Sequence, residues 1–214
     1  EVSPVLIFHN GDLLPQRNAL EGLAEKCQQI FAANLDADFP GAKAIPVGIE
    51  NFYRNSNGKL EDFILFRDGQ IAPERAEPVF SSFNVATNPS IRASLAEELE
   101  ASRFYYSGAR ISPKIHRRQT MEAKFVLSPP GNGIDCHRTW ESIYLGAVPV
   151  VLSGFLSEKL AESLPVLVVD SYKQFLQYSD SELEAMFEEI SLIGAEKAFM
   201  PFWVNEIWRA SNER

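Results

Sequence analysis

The stretch Ser128-Pro-Pro-Gly-Asn-Gly-Ile-Asp-Cys-His-Arg-Thr-Trp-Glu141 is entered from the apolar run at 125–127 and followed by Ser-Ile-Tyr-Leu-Gly-Ala-Val-Pro-Val-Val151; its reading decides the fold. It predicts a strand, a Pro/Gly loop, a short amphipathic helix and a second strand, with a ligand site at the loop. Such a loop presents backbone N–H groups and the positive end of a helix, which suits an anion, and a nucleotide diphosphate fits best. Asp135 stands where an N-cap is expected, and Gly146 ends the helix after about three turns. Helical spacing puts Cys136, Trp140, Ile143 and Tyr144 on a core-facing stripe and Ile134, Arg138, Glu141 and Leu145 on its neighbour. Arg138 then lies in the first turn, where its guanidinium can fork onto pyrophosphate oxygens. Glu141, one turn deeper, can accept from the two hydroxyls of a ribose. Gly131 and Gly133 leave room for close backbone approach, and Pro129 and Pro130 stiffen the loop. On pattern alone a solvated ion pair between Arg138 and Glu141 is an equally good reading. Gly-Asn-Gly is neither the G-x-G-x-x-G fingerprint nor a P-loop, which argues against dinucleotide and NTPase sites.

Outward from this motif the alternation is regular from Pro78 on. Strands are expected at 79–83, 104–106, 124–128, 147–152 and 166–169, and helices at 90–101, 113–122, 136–145, 155–163 and within 171–192. Upstream, strands at 5–9, 29–33 and 44–47 with a helix at 19–26 make a fragmentary α/β unit. The polar segment 51–77 reads as a connector in which 63–66 forms a brief helix or strand. The tail carries Phe199, Phe202, Trp203, Ile207 and Trp208, so a terminal helix should pack back on the core. The expected fold is α/β: a Rossmann-like, doubly wound parallel sheet over 76–195, a partial N-terminal α/β unit over 1–75, and a C-terminal helix over 196–214.

With 214 residues, 45% of them hydrophobic, the chain can bury a sizeable core. Its net charge of −9 argues against a nucleic-acid partner, whose phosphates call for Lys and Arg, but leaves room for a small phosphorylated ligand bound by a local cluster. Cys27 and Cys136 are too few for a disulfide scaffold or a zinc quartet. No apolar run is long enough to span a membrane and no signal-peptide pattern opens the chain; Glu1 in place of Met suggests a trimmed start.

The string from Lys124 to Val151 resembles the donor-site region of exostosin-like glycosyltransferases, the inverting GT-B group numbered family 47, and their bacterial relatives; the likeness is looser over 78–170. The resemblance implies a GT-B type architecture. It also implies metal-independent transfer of a sugar, with inversion, from a nucleotide sugar, commonly a UDP-sugar, to a saccharide acceptor in polysaccharide biosynthesis, with no cofactor. By position, Glu141 would hold the ribose, and Arg138 and the Gly131–Gly133 backbone the diphosphate, with His137 close to the leaving group or sugar. Ser128, Pro130, Asn132 and Asp135 complete that donor-binding stretch, and Arg92, after Asn84 and Asn88, is a second phosphate candidate. The basic run Arg110, Lys114, Arg117, Arg118, Lys124 either lends the cleft positive potential or is a solvated helix face. The inverting base is expected on the first domain, where His9, Asp12 and Glu50 are the candidates, each with a structural role as its competing reading. Residues 1–75 are short for a full acceptor domain. A nucleotide-sugar-binding or carbohydrate-binding module without turnover, or a fragment of a larger synthase, competes with the enzyme. So does a phosphoryl-transfer enzyme, which would want clustered metal-binding carboxylates. A cytoplasmic, bacterial-type protein is the favoured setting, with the Golgi lumen as that of a trimmed eukaryotic enzyme.

Overall fold

The computed structural model describes residues 3–12, 17–51, 53–54, 56–63, 74–108 and 111–212, and its framework is two parallel sheets. In the smaller one, β1 (Val5–Phe8), β2 (Gln29–Ala32) and β3 (Ala42–Ala44) lie side by side in that order, with α1 (Arg17–Ala24) linking the first two. Residues 60–63 form a helical turn, α2, that buries Phe63.

The larger sheet contains β4 (Glu77–Ser82), β5 (Tyr105–Ser107), β6 (Ala123–Leu127), β7 (Val148–Leu152) and β8 (Leu167–Val169), in the spatial order β5-β4-β6-β7-β8. Every neighbouring pair is parallel. Parallel strands need crossovers, and these are α3 (Pro89–Glu100), α4 (Pro113–Glu122), α5 (His137–Tyr144) and α6 (Phe155–Ala161). After β8 come α7 (Tyr172–Phe175), α8 (Asp180–Ile190) and α9 (Met200–Asn212). Both faces of the sheet are covered, which is why its strands are near-continuous apolar runs. Val79, Phe125, Leu127, Val148 and Val150 pack with Leu95, Leu99, Phe175 and Leu183 on one face. Successive residues point to the other face, where Val126 packs near Ile111 and Val151 packs with Trp140 and Ile143. The chain is therefore an α/β protein whose main sheet is doubly wound.

From β4 the chain passes to β5 on one side and then crosses to β6 on the other. The carboxyl ends of β4 and β6 thus flank a switch point, where an open parallel sheet leaves a crevice. The small sheet faces that crevice, held in part by α9: Trp203, Ile207 and Ala210 pack on Val5, Phe31, Ala33 and Ile45, and Lys43 pairs with Glu206 at 3.6 Å. Among the described residues no helix is long and apolar enough to cross a membrane.

Two local expectations are corrected, and a third is met only in part of its span. The third strand runs over Ala42–Ala44 rather than 44–47, because Pro46 has no N–H to give a ladder and the main chain of 46–48 bonds to groups elsewhere. Helix α5 starts at His137 with Cys136 as its N-cap residue and no side-chain cap, so Asp135 is not the cap; its carboxylate is engaged elsewhere. Of the brief element expected at 63–66, residue 63 closes the helical turn and 64–66 lie outside the described residues. The stop at Gly146 is as expected: φ is +77°, Gly146 N–H reaches Ile143 O at 3.0 Å and Ala147 N–H reaches Ser142 O at 2.9 Å, the paired bonds of a Schellman end.

Candidate functional site

A cleft of about 660 Å³ opens at the switch point, between the carboxyl ends of β4 and β6 and the loops of the small sheet. That volume is in the range of small-molecule sites, roughly 300–1,000 Å³.

One wall is the loop after β6, and its shape is imposed by the turn after β4. Arg92, only 4% exposed, donates Nη2 to Pro129 O at 3.0 Å, Nε to Pro130 O at 2.9 Å and Nη1 to Asn84 O at 3.0 Å. Asn88 Nδ2 donates to Gly131 O at 2.9 Å, so three successive loop carbonyls are tied down. Burial, and after it the nearby Arg138, lower the Arg92 pKa. Arg92 lines the cleft, but most of its fork is committed to the main chain. It braces the loop where the sequence suggested a phosphate ligand.

The floor is the start of α5. His137 Nδ1 lies 2.7 Å from Gly48 O; a carbonyl only accepts, so Nδ1 carries a proton, and in the neutral ring Nε2 is the acceptor. Arg138 Nε and Glu141 Oε1 are buried with no hydrogen-bond partner among the described residues. Both side chains line the cleft. Burial raises the Glu141 pKa, opposed first by the Arg138 charge, and a hydrogen bond from Asn57 also favours the carboxylate. A buried polar group left unpaired costs about 1–3 kcal/mol, so a ligand that accepts from Arg138 and donates to Glu141 would recover that cost twice.

The facing wall is fastened by a clasp that the sequence did not reveal. Asn34, 1% exposed and at φ +58°, donates Nδ2 to Gly11 O at 2.8 Å and accepts from Asp135 N–H at 2.9 Å. Asp135 Oδ2 accepts from Val47 N–H at 2.8 Å, and its two oxygens accept from Trp140 Nε1 at 2.8 and 3.0 Å. Burial nonetheless lifts the Asp135 carboxyl to about 6. A Cβ at Gly133 would stand 2.5 Å from Asn34 Oδ1, so the space at Gly133 admits Asn34 rather than a ligand.

The expected residues therefore divide. Asp12, Arg92, Gly131, Asn132, Gly133, Asp135, His137, Arg138 and Glu141 come together around the cleft, with Asn132 Nδ2 3.3 Å from Asp12 Oδ2. Ser128 is turned inward, its hydroxyl 2.9 Å from Thr139 Oγ1, and Pro130 contributes its carbonyl to Arg92. Neither lines the cleft. Nor do His9, whose ring nitrogens meet Asn10 Oδ1 and Pro46 O, and Glu50, which accepts from the N–H groups of Ser56 and Asn57. Most of the basic run is spent on contacts within the fold: Arg118 pairs with Glu122, Lys124 with Glu184, and Arg117 Nη1 donates to Asn57 O. Arg110 lies outside the described residues. His116 and Asn57, which the sequence did not single out, line the cleft; the only signal for His116 was an imidazole at the start of a helix otherwise read as a charged face. Among the described residues no three His, Cys, Asp or Glu side chains are grouped to hold a metal ion. Compared with known proteins, the chain matches no family model and no curated protein.

Proposed function

We propose that the chain is a metal-independent glycosyltransferase, GT-B type and exostosin-like, that passes a sugar from a nucleotide sugar, with a UDP-sugar as the first candidate, to a saccharide hydroxyl with inversion. One observation carries this reading: Arg138 Nε and Glu141 Oε1, buried and unpaired a helical turn apart at the start of α5, ask for an anion next to a hydroxyl-bearing group. A ribose diphosphate has that order of groups. The resemblance over Lys124–Val151 supplies the sugar and the stereochemistry.

In the proposed reaction the bond from the anomeric carbon to the diphosphate breaks as the acceptor oxygen bonds on the opposite face, and the acceptor's proton passes to the base. Asp12 is assigned as base because it lines the cleft, whereas His9 and Glu50 are engaged away from it. Arg138 and the N–H groups opening α5 stabilise the departing diphosphate. His137 Nε2 accepts from a sugar hydroxyl.

Calorimetric titration with UDP tests the reading. Arg138→Ala and Glu141→Ala should each weaken binding about tenfold or more, the equivalent of at least ~1.4 kcal/mol. Unchanged affinity in both sinks the assignment, as would equal thermal stabilisation by UDP, NAD and ATP. A second reading, a binding module without turnover, is favoured by the exposure to solvent of Asp12, the carboxylate that catalysis would need as base. UDP-sugar turnover by the purified chain, lost in Asp12→Asn, would exclude it.

A further inference from the structure

We infer that His116 reads the base of the bound nucleotide, in a subsite between the first turn of α4 and the turn at 56–58. The inference rests on the nucleotide reading proposed above. A nucleotide is a linear sequence of base, ribose and phosphates. With the phosphates at Arg138 and the ribose one helical turn deeper at Glu141, the base must continue beyond Glu141 on the side away from the phosphates. A connected set of groups lines the cleft near Glu141. The Asn57 side chain is close enough to Glu141 to favour its carboxylate, and the Asn57 carbonyl accepts from Arg117 Nη1 at 2.8 Å. Arg117 is the chain neighbour of His116 on α4, and Ile111 and Pro113 line the same cleft with apolar surface suited to a planar ring.

Two features fit His116 to a base and not to a phosphate. Its ring packs edge-on against Phe80, with centroids 5.4 Å apart and planes at 65°, which fixes its orientation, and no described residue hydrogen-bonds its ring nitrogens. Burial, followed by the charges of Arg138 and Arg117, pushes its pKa down to about 4. At neutral pH the ring is therefore uncharged and offers one donor and one acceptor, the complement of a base edge that also presents one of each. A histidine serving a phosphate would gain from being cationic, and burial of this ring works against that.

The test is calorimetric titration of the wild-type chain, His116→Phe and His116→Gln with UDP, GDP, ADP and inorganic pyrophosphate, with thermal melts to identify the variants that keep the fold. In a folded His116→Phe chain the preferred nucleoside diphosphate should bind about tenfold more weakly and the preference among bases should narrow, while pyrophosphate stays within about twofold of wild type. His116→Gln, which retains a donor and an acceptor, should keep most of the affinity. The proposal is overturned if a folded variant loses nucleotide and pyrophosphate affinity in equal measure, or keeps the wild-type preference among bases. Failure of the wild-type chain to bind any of the nucleotides would instead bring down the nucleotide reading of the cleft, and this inference with it.

Discussion

The two walls of the cleft do different work. The wall from the five-stranded sheet carries charged side chains whose positions are set within that sheet's own loops: Arg92 braces the Pro129–Gly131 carbonyls, and Arg138 and Glu141 project from α5. The wall from the three-stranded sheet contributes main-chain groups, namely Val47 N–H, Gly48 O and Gly11 O, together with the amide of Asn34 and the exposed carboxylate of Asp12. Chemistry that can hold a charged ligand is thus built on one wall, and the other is clasped to it. The seam is Asp135, which sits on the charged wall and takes its partners from both.

If this division is right, cutting the seam should have the largest effect. Asp135→Ala leaves the buried Trp140 indole N–H and the half-buried Val47 N–H without acceptors, and the two orphaned donors cost about 3–5 kcal/mol together. Urea unfolding should show that loss, with the small sheet releasing before the large one. A loss below about 1 kcal/mol would mean that the α9 packing and not the clasp holds the walls together.

A pH series sharpens the same point. The Asp135 carboxyl is raised from its ordinary value of 3.8 to about 6, because burial outweighs its hydrogen bonds. The folded state therefore keeps this proton to higher pH than the unfolded chain does. Below pH 4 both states hold it, above pH 6 both have lost it, and between the two the carboxyl's contribution to stability falls as pH rises. The fall is about 3 kcal/mol at 1.36 kcal/mol per unit. It is read as the difference in unfolding free energy between wild type and Asp135→Asn from pH 4 to 7. A difference that stays flat, or rises with pH, would show that the Asp135 hydrogen bonds outweigh its burial.

The same division explains what the sequence could show. The charged wall was legible because its chemistry sits in side-chain types at fixed spacings: a Pro/Gly loop, then Arg138 and Glu141 three apart on a helix. The alternation from residue 78 likewise carried the parallel sheet and most of its helices. The clasp was not legible, since a backbone N–H at Val47 or a carbonyl at Gly48 has no residue-type signature, and partners such as Asn34 and Asp135 are 101 residues apart. Arg92 was read as a phosphate ligand because its commitment to three carbonyls depends on tertiary placement. His116 was hidden for a related reason: a run rich in Arg and Lys looks solvated until the fold buries one face of its helix.

The two loop glycines give the smallest and most discriminating contrast, because they stand two residues apart but face different walls. A Cβ at Gly133 would lie 2.5 Å from Asn34 Oδ1 and 2.9 Å from its Cγ and Nδ2. Asn34 is short, buried and hydrogen-bonded at both ends of its amide, so it cannot swing aside without giving up Gly11 O or Asp135 N–H. Gly133→Ala should therefore cost about 2 kcal/mol, the range of an overpacked core site plus a weakened hydrogen bond. At Gly131 the nearest atoms are Arg92 Nη2 at 3.3 Å and Thr87 Cγ2 at 3.6 Å, both at side-chain ends, and a shift of a few tenths of an ångström accommodates the methyl. Gly131→Ala should cost less than about 1 kcal/mol in stability. It should act instead on the charged wall, disturbing the Arg92 brace and weakening the proposed nucleotide binding more than it lowers the unfolding midpoint. Equal destabilisation by the two substitutions, with equal effects on binding, would mean that the loop belongs to both walls alike and that the contrast between them does not extend to the residues that join them.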